Sequence, residues 1–215
     1  MVIRLACLDL AGTTVRDDSV VEAAFAQAVD HPTENDIVYV RESMGMPTIV
    51  VFRNLFEGDE MAAQAANKRF EEAYIDSLDR VTVIEGARET IDTLRLRGIQ
   101  VCLITELTAR TRDALLDALG WHSVADLTLT AEEAYGQRGC PHPDLVLTAA
   151  LRLGVDDVRH IAVTGDTTND LLAGWRAGAS LVAGVLTGPH DRATLARAPH
   201  THLLDSIADL PAVVA

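Results

Sequence analysis

The stretch Leu5-Ala6-Cys7-Leu8-Asp9-Leu10-Ala11-Gly12-Thr13-Thr14-Val15 decides how this chain folds. Val2 to Leu8 is a short, mainly apolar run that stops on an acid, and a Gly-Thr-Thr turn follows. A run of this length without polar alternation reads as a strand buried on both faces, the habit of parallel sheets covered by helices. Asp9 then stands at the strand's carboxyl end, where open α/β sheets place their working residues.

Beyond that turn the pattern changes. From Ser19 to Leu78 the spacing is helical, with few strand signals. Ser19 is expected to cap a helix carrying Val20, Val21, Ala24, Phe25 and Ala28, and Asn35 to cap a second. Met46-Pro47 opens a third, with Pro47 in the first turn, where a missing N–H costs nothing; Asp59–Leu78 reads as a longer helix. After Glu85-Gly86 strands and helices alternate. The expected helices are 87–97, 108–119, 143–153 and 167–177, the first three ending at Gly98, Gly120 and Gly154. The expected strands are 99–105, 125–129, 160–165 and 181–186, with a short strand and helix after Thr201. Such alternation means an α/β fold with a doubly wound parallel sheet. Residues 1–15 and 85–215 are expected to form that core, and residues 16–84 a small all-helical insert after the first strand.

Composition narrows the partners. A chain of 215 residues, 48% apolar, suits one core plus a modest insert. A net charge of −14 argues against nucleic-acid binding, which needs a basic footprint, but not against a small anion met locally. Cys7, Cys102 and Cys140 lie far apart without a CxxC pair, which suits a reducing compartment. The apolar runs are strand-length, so no membrane span is expected. The first ten residues lack a small-residue cleavage site and read as a strand, not a signal segment. The expectation is a soluble cytoplasmic protein.

Four strand ends are loaded with polar residues: Asp9 with Gly12-Thr13-Thr14, Thr105-Glu106, the loop Arg138 to Asp144, and Gly165-Asp166-Thr167-Thr168-Asn169-Asp170. Each has a bland reading alone. An acid before Gly-Thr is often a turn with a helix cap, and Asp166 and Asp170 suit an N-cap and a first-turn acid. Together, in this order and on these strands, they mark a site.

In that arrangement the chain resembles the haloacid dehalogenase (HAD) superfamily over nearly its whole length, the helical insert sitting where type 1 caps sit. Asp9–Val15, with alanine two residues after the acid, and the Met44-Gly45 pair are similar to the phosphonatase-like (phosphonoacetaldehyde hydrolase-like) branch. The resemblance implies a Mg²⁺-dependent hydrolase acting on a small phosphorylated or phosphonate metabolite through a phospho-aspartate at Asp9. It implies Mg²⁺ held by Asp9, the Ala11 carbonyl and Asp166, supported by Asp170. Thr105 and the N–H groups of Gly12 and Thr13 would cradle the phosphoryl oxygens, with Glu106 and Thr48 on the substrate side. A hard oxygen donor set is what magnesium prefers.

Three positions depart from the family pattern. Ala11 stands where the phosphatases carry a second Asp, the acid–base for the leaving oxygen. Thr48 stands where phosphonoacetaldehyde hydrolases carry an imine-forming lysine, and Lys68, the only lysine in the chain, reads as a surface residue. Cys140 stands where a Lys or Arg neutralises the phosphoryl group, and Arg138 is the candidate replacement, its planar fork suiting two phosphoryl oxygens. Glu106 or His142 is the candidate for the missing acid. Two other readings stay open: a weakened relative that binds a phosphate-bearing ligand or a partner without turnover, and a haloacid dehalogenase. The apolar residues Val50, Val51, Phe52, Leu55 and Phe56 suit either a homodimer face or the insert's own core.

Overall fold

A computed structural model describes residues 2–136 and 138–214. The strands are β1 (Leu5–Asp9), β2 (Val15–Arg16), β3 (Thr82–Val83), β4 (Gln100–Thr105), β5 (Leu127–Thr130), β6 (Ile161–Gly165), β7 (Leu181–Val185) and β8 (His202–Leu204). The helices are α1 (Asp18–Ala28), α2 (Glu34–Glu42), α3 (Thr48–Leu55), α4 (Glu60–Asp76), α5 (Ala87–Leu96), α6 (Ala109–Leu119), α7 (Asp144–Leu153), α8 (Thr168–Ala177), α9 (Arg192–Leu195) and α10 (Leu210–Val213). The larger sheet has six strands in the order β5-β4-β1-β6-β7-β8, every neighbouring pair parallel. This is the doubly wound α/β architecture expected from the alternation.

β1 is central because its residues suit nothing else. Leu5 to Leu8 have no exposed surface, and alternate side chains enter different cores. Ala6 and Leu8 join one with Val101, Leu103 and Ile91. Leu5 and Cys7 join another with Cys102, Ile104 and Leu129. With β4 on one side and β6 on the other, the ends of three adjacent strands meet at Asp9, Thr105 and Gly165. That crevice is where such sheets bind ligands.

α1 to α4 lie between β2 and β3, whose antiparallel pairing ties the start of the helical segment to its end. Phe25 stacks on Phe52 with ring centroids 5.9 Å apart, and Phe70 meets Phe52 edge-on at 6.0 Å. Val51 and Phe52 therefore face inward, while Val50, Leu55 and Phe56 are half-buried. Among the described residues no helix is long and apolar enough to cross a membrane.

Several caps differ from expectation. α1 follows Asp17, so Ser19 lies within the first turn. α2 is capped by Thr33 in a reciprocal box with Asp36, not by Asn35, because only Thr33 has the extended backbone that presents its hydroxyl to the Asp36 N–H. Pro47 occupies the N-cap of α3, one residue before the first turn.

Candidate active site

The loop after β1 doubles back tightly. The Thr14 and Val15 amides both donate to the Leu10 carbonyl at 2.9 Å, and the Gly12 amide donates to Val15 O at 2.8 Å. Gly12 is obligatory on two counts. Its φ is +77°, and a Cβ there would run into the Asp166 carboxylate. The Gly12 amide is thus already committed, which corrects the expectation that it is free to hold a phosphoryl oxygen. Thr13 is buried, and its hydroxyl donates to Asp166 Oδ1 at 2.8 Å, locking the first loop to the fourth.

The loop after β6 is held as firmly. Thr167 caps α8, and Asp170 Oδ2 accepts from the Thr167 amide at 2.9 Å and its hydroxyl at 2.6 Å. Asp166 and Asp170 are 2% and 3% exposed, and the half-buried Asp9 lines the same cleft. Burial lifts the Asp9 carboxyl well above the usual carboxylate range, and the charges of Asp170, Asp166 and Glu106 push it further. Asp166 is raised by burial and by Asp170, with the Thr13 hydroxyl opposing. Asp170 is raised by burial and restrained by its bonds to Thr167.

Three carboxylates in a space that disfavours each one's charge want either protons or a cation. No Lys, Arg or His is found among the described residues lining the cleft. Nor, among the described residues, do three or more His, Cys, Asp or Glu side chains form a closed metal cage. Magnesium asks for less: one or two carboxylates, a carbonyl and retained waters. Asp9, Asp166 and the Ala11 carbonyl, with Ala11 also lining the cleft, match that donor set.

Thr105 is buried at the end of β4, where its hydroxyl accepts from the Leu107 amide at 3.2 Å, and it lines the cleft. Next to it, Glu106 Oε1 accepts from the Cys140 amide at 2.6 Å, while Oε2 is buried without a partner. Burial raises this carboxyl to about 8, against the opposing Cys140 amide. The buried Cys140 thiol faces both Glu106 and Asp170, and burial with those charges holds it well above the ordinary thiol range. Where the family pattern has a cation, this chain has a thiol beside a neutral carboxyl.

Arg138 does not reach the cleft. Its guanidinium forks onto Asp144 with two bonds of 2.9 Å, and it lines a neighbouring recess with the exposed His142. Asp144 is the cause: nearly buried at the N-terminus of α7, it requires a counter-charge. Lys68 lies on the exposed face of α4 at 3.9 Å from Glu72. Thr48 lines the cleft, its hydroxyl donating to Asn67 Oδ1 at 2.7 Å.

The helical segment sits on these loops. Gly45, at φ +77°, packs so close to Thr167 that a Cβ would strike its side chain, and Asn169 Nδ2 donates to the Met44 carbonyl at 3.4 Å. Tyr74 Oη donates to Asp17 Oδ2 at 2.7 Å, holding a further buried acid at the cleft wall. The result is a cleft, open at its mouth, between the strand ends and α1 to α4.

A fifth strand end contributes that the sequence reading passed over. Thr187 donates to Gly12 O at 2.6 Å, and Gly188 approaches Asp166 so closely that a Cβ would overlap its carboxylate. His190 Nδ1 accepts from the Thr168 amide at 3.1 Å, and its partial burial lowers its pKa, keeping that nitrogen unprotonated. The Thr187-Gly188-Pro189 turn directly after a buried apolar strand was the available signal.

With the strand-end acids converged, the comparisons with known proteins decide the family. A model of haloacid dehalogenase-like hydrolases matches residues 3–178. The chain belongs to that family. It is 30% identical to a probable phosphatase, IndB, of Dickeya dadantii, over 96% of this chain and 91% of that one. It is also 30% identical to a phosphonoacetaldehyde hydrolase of Pseudomonas fluorescens, over 70% of this chain and 62% of that one. A solved hydrolase from Pseudomonas syringae superposes with a TM-score of 0.86 over 97% of this chain and 96% of its own, at 24% identity, a likeness of fold. The phosphonatase-like resemblance read from Ala11 and Met44-Gly45 thus has a counterpart among its relatives.

Proposed function

We propose that this HAD hydrolase is a phosphohydrolase that transfers the phosphoryl group of a small phosphorylated metabolite to Asp9 and then to water. The observation that carries this reading is the convergence of Asp9, Asp166 and Asp170 at adjacent strand ends in a cleft whose described lining holds no cationic side chain. Phosphatases and phosphonatases among the relatives point the same way.

Mg²⁺ would be held by Asp9, Asp166 and the Ala11 carbonyl, with Asp170 behind Asp166. When bound, the ion supplies the positive charge that lets an anionic nucleophile meet a phosphoryl group. The residues do the rest. An Asp9 oxygen attacks phosphorus as the bond to the leaving oxygen breaks. The Thr105 hydroxyl and the Thr13 amide hold phosphoryl oxygens. Glu106 supplies the proton that Ala11 cannot. Since Oε1 accepts the Cys140 amide, the proton of the neutral carboxyl belongs on the unpartnered Oε2. It passes to the leaving oxygen. Glu106, now a carboxylate, takes a proton from the water that attacks phosphorus, and Asp9 and phosphate are released. Residues 16–84 act as the cap that closes over this site and excludes water. Three free, buried cysteines suit a reducing cytoplasm.

The test is phosphate release from a panel of phosphate esters, acyl phosphates and phosphonates with Mg²⁺, beside Asp9→Asn. Release is expected to fall about 10⁴-fold or more in the variant, as for loss of other nucleophiles. It should also stop on chelation and return with Mg²⁺. Equal release by the variant would overturn the reading. Arg138's diversion to Asp144 favours one other reading, a binding protein without turnover, which predicts phosphate binding and no release at all.

A further inference from the structure

We infer that the substrate of this cleft is a phosphoryl compound whose carbon body is apolar and uncharged, an alkyl, aryl or acyl group rather than a sugar, a carboxylate or a nucleotide. The inference rests on the phosphohydrolase reading above and adds the substrate class.

Two walls of the cleft differ in chemistry. The floor is polar: Asp9, Thr105, Glu106, Asp166 and Asp170 at the strand ends. The roof is built by the helical segment from Val21, Phe25, Val40, Met44, Val51 and Phe52. Val21 and Met44 are half-buried, so they keep surface to offer, while Phe25 and Phe52 are held rigid by stacking at 5.9 Å. A bound phosphoryl group sits on the floor, and whatever it is attached to must meet this roof.

Of the three polar side chains that the helical segment adds to the cleft wall, two are already engaged and the third, Ser43, is buried. Asp17 accepts from Tyr74, and Thr48 donates to Asn67. Sugar hydroxyls would lose water without gaining partners, which is costly in a closed cleft. A second negative charge fares worse, since no cation is found among the described lining residues. The adjoining recess is lined by Arg53 and Arg138, and both are paired: Arg53 with Glu60 at 2.7 and 2.8 Å, Arg138 with Asp144 at 2.9 Å. A carboxylate or a diphosphate tail would have to break one of those pairs. An apolar body asks for nothing but contact.

A ladder of inert ligands tests this without depending on turnover. Methyl-, propyl-, pentyl- and phenylphosphonate and phosphonoacetate would be titrated calorimetrically into the full chain with Mg²⁺, then again with excess inorganic phosphate. Affinity is expected to rise about fourfold for each methylene the roof covers. Propylphosphonate should exceed phosphonoacetate by about tenfold or more, since the latter buries an unpaired charge, and phosphate should displace every member. A flat ladder, phosphonoacetate binding as tightly as propylphosphonate, or binding indifferent to phosphate would each overturn the inference. Hydrolysis separates the two levels. Release from butyryl or benzoyl phosphate in preference to phosphoglycolate and glucose 6-phosphate supports both. Release with the polar compounds preferred sinks the substrate class and keeps the hydrolase. A steep ladder with no release from any compound sinks the hydrolase and keeps the apolar site.

Discussion

The loops after β6 and before α7 look alike in sequence, each a short polar run leading into a helix, yet they ended in different places. Asp166 to Asp170 runs straight from a buried strand into α8, and both of its acids are held from within the loop or from the neighbouring one: Thr13 on Asp166, Thr167 on Asp170. There is no slack, so the acids project where β6 ends. Arg138 to Asp144 follows β5 at a distance, and its strongest electrostatic need is internal. Nearly buried Asp144 takes the guanidinium at 2.9 Å, and the cation expected at the site turns away. A long side chain goes to the nearest desolvated charge, whatever its place in a motif.

The contrast can be broken or sharpened by substitution. The largest effect belongs to the rigid loop. Asp166→Asn is expected to lose more phosphate release than either Glu106→Gln or Arg138→Ala without abolishing it, and its Mg²⁺ requirement should rise by more than the roughly 10–100-fold that loss of an outer partner costs. Titrating Mg²⁺ against phosphate release reads this directly, and a variant with normal Mg²⁺ dependence would remove Asp166 from the metal.

Glu106→Gln comes next, with an expected loss of about 10²-fold, at the lower end for a positioned acid–base. With the carboxyl raised to about 8, the reactive acid is present below that pH and vanishes above it. The wild-type rate should therefore fall as pH rises through about 8, a limb that the variant lacks. The same shift has a stability consequence. A carboxyl whose folded pKa lies above its unfolded value near 4.5 stabilises the fold fully below 4.5 and loses that contribution as pH climbs towards 8. Metal-free wild type should lose melting temperature over that window more steeply than Glu106→Gln, and parallel curves would contradict the raised carboxyl.

The smallest effect is assigned to Arg138→Ala: kcat/KM within about threefold of wild type, as for loss of an exposed ion pair, with a lowered melting temperature from an unpaired Asp144. A tenfold fall in kcat/KM at unchanged melting temperature would mean that the guanidinium swings into the cleft.

Periodicity made most of the fold legible. Continuous apolar runs located β4, β6 and β7 to within about one residue and β1 to within about three, because burial on both faces leaves no room for polar side chains. Caps were harder. Ser19, Asn35 and Thr33 are equivalent as hydrogen-bond acceptors by residue type, and the backbone angle that selects Thr33 is set by packing. The β2–β3 ribbon, two residues a side, is too short for any alternation to show. In the site, Asp9 and Asp166 stood out because one ends its strand and the other directly follows it, and Asp170 because it closes the same short polar run as Asp166. Asp17 reaches it from a loop with no such marker, and Gly188 and His190 from a turn that follows a buried strand without an acid at its end.

What the amino-acid order determined by itself is the parallel sheet and the acids at its carboxyl edge, since strand length, burial and the turn at Gly12 are local properties of consecutive residues. What only the tertiary structure decided is which long side chains face the cleft: Glu106 at its wall, one carboxyl oxygen on the Cys140 amide, Arg138 tied to Asp144 outside it, and an apolar roof above. Those choices depend on which charges are desolvated together, a property of the assembled fold that no stretch of chain carries alone.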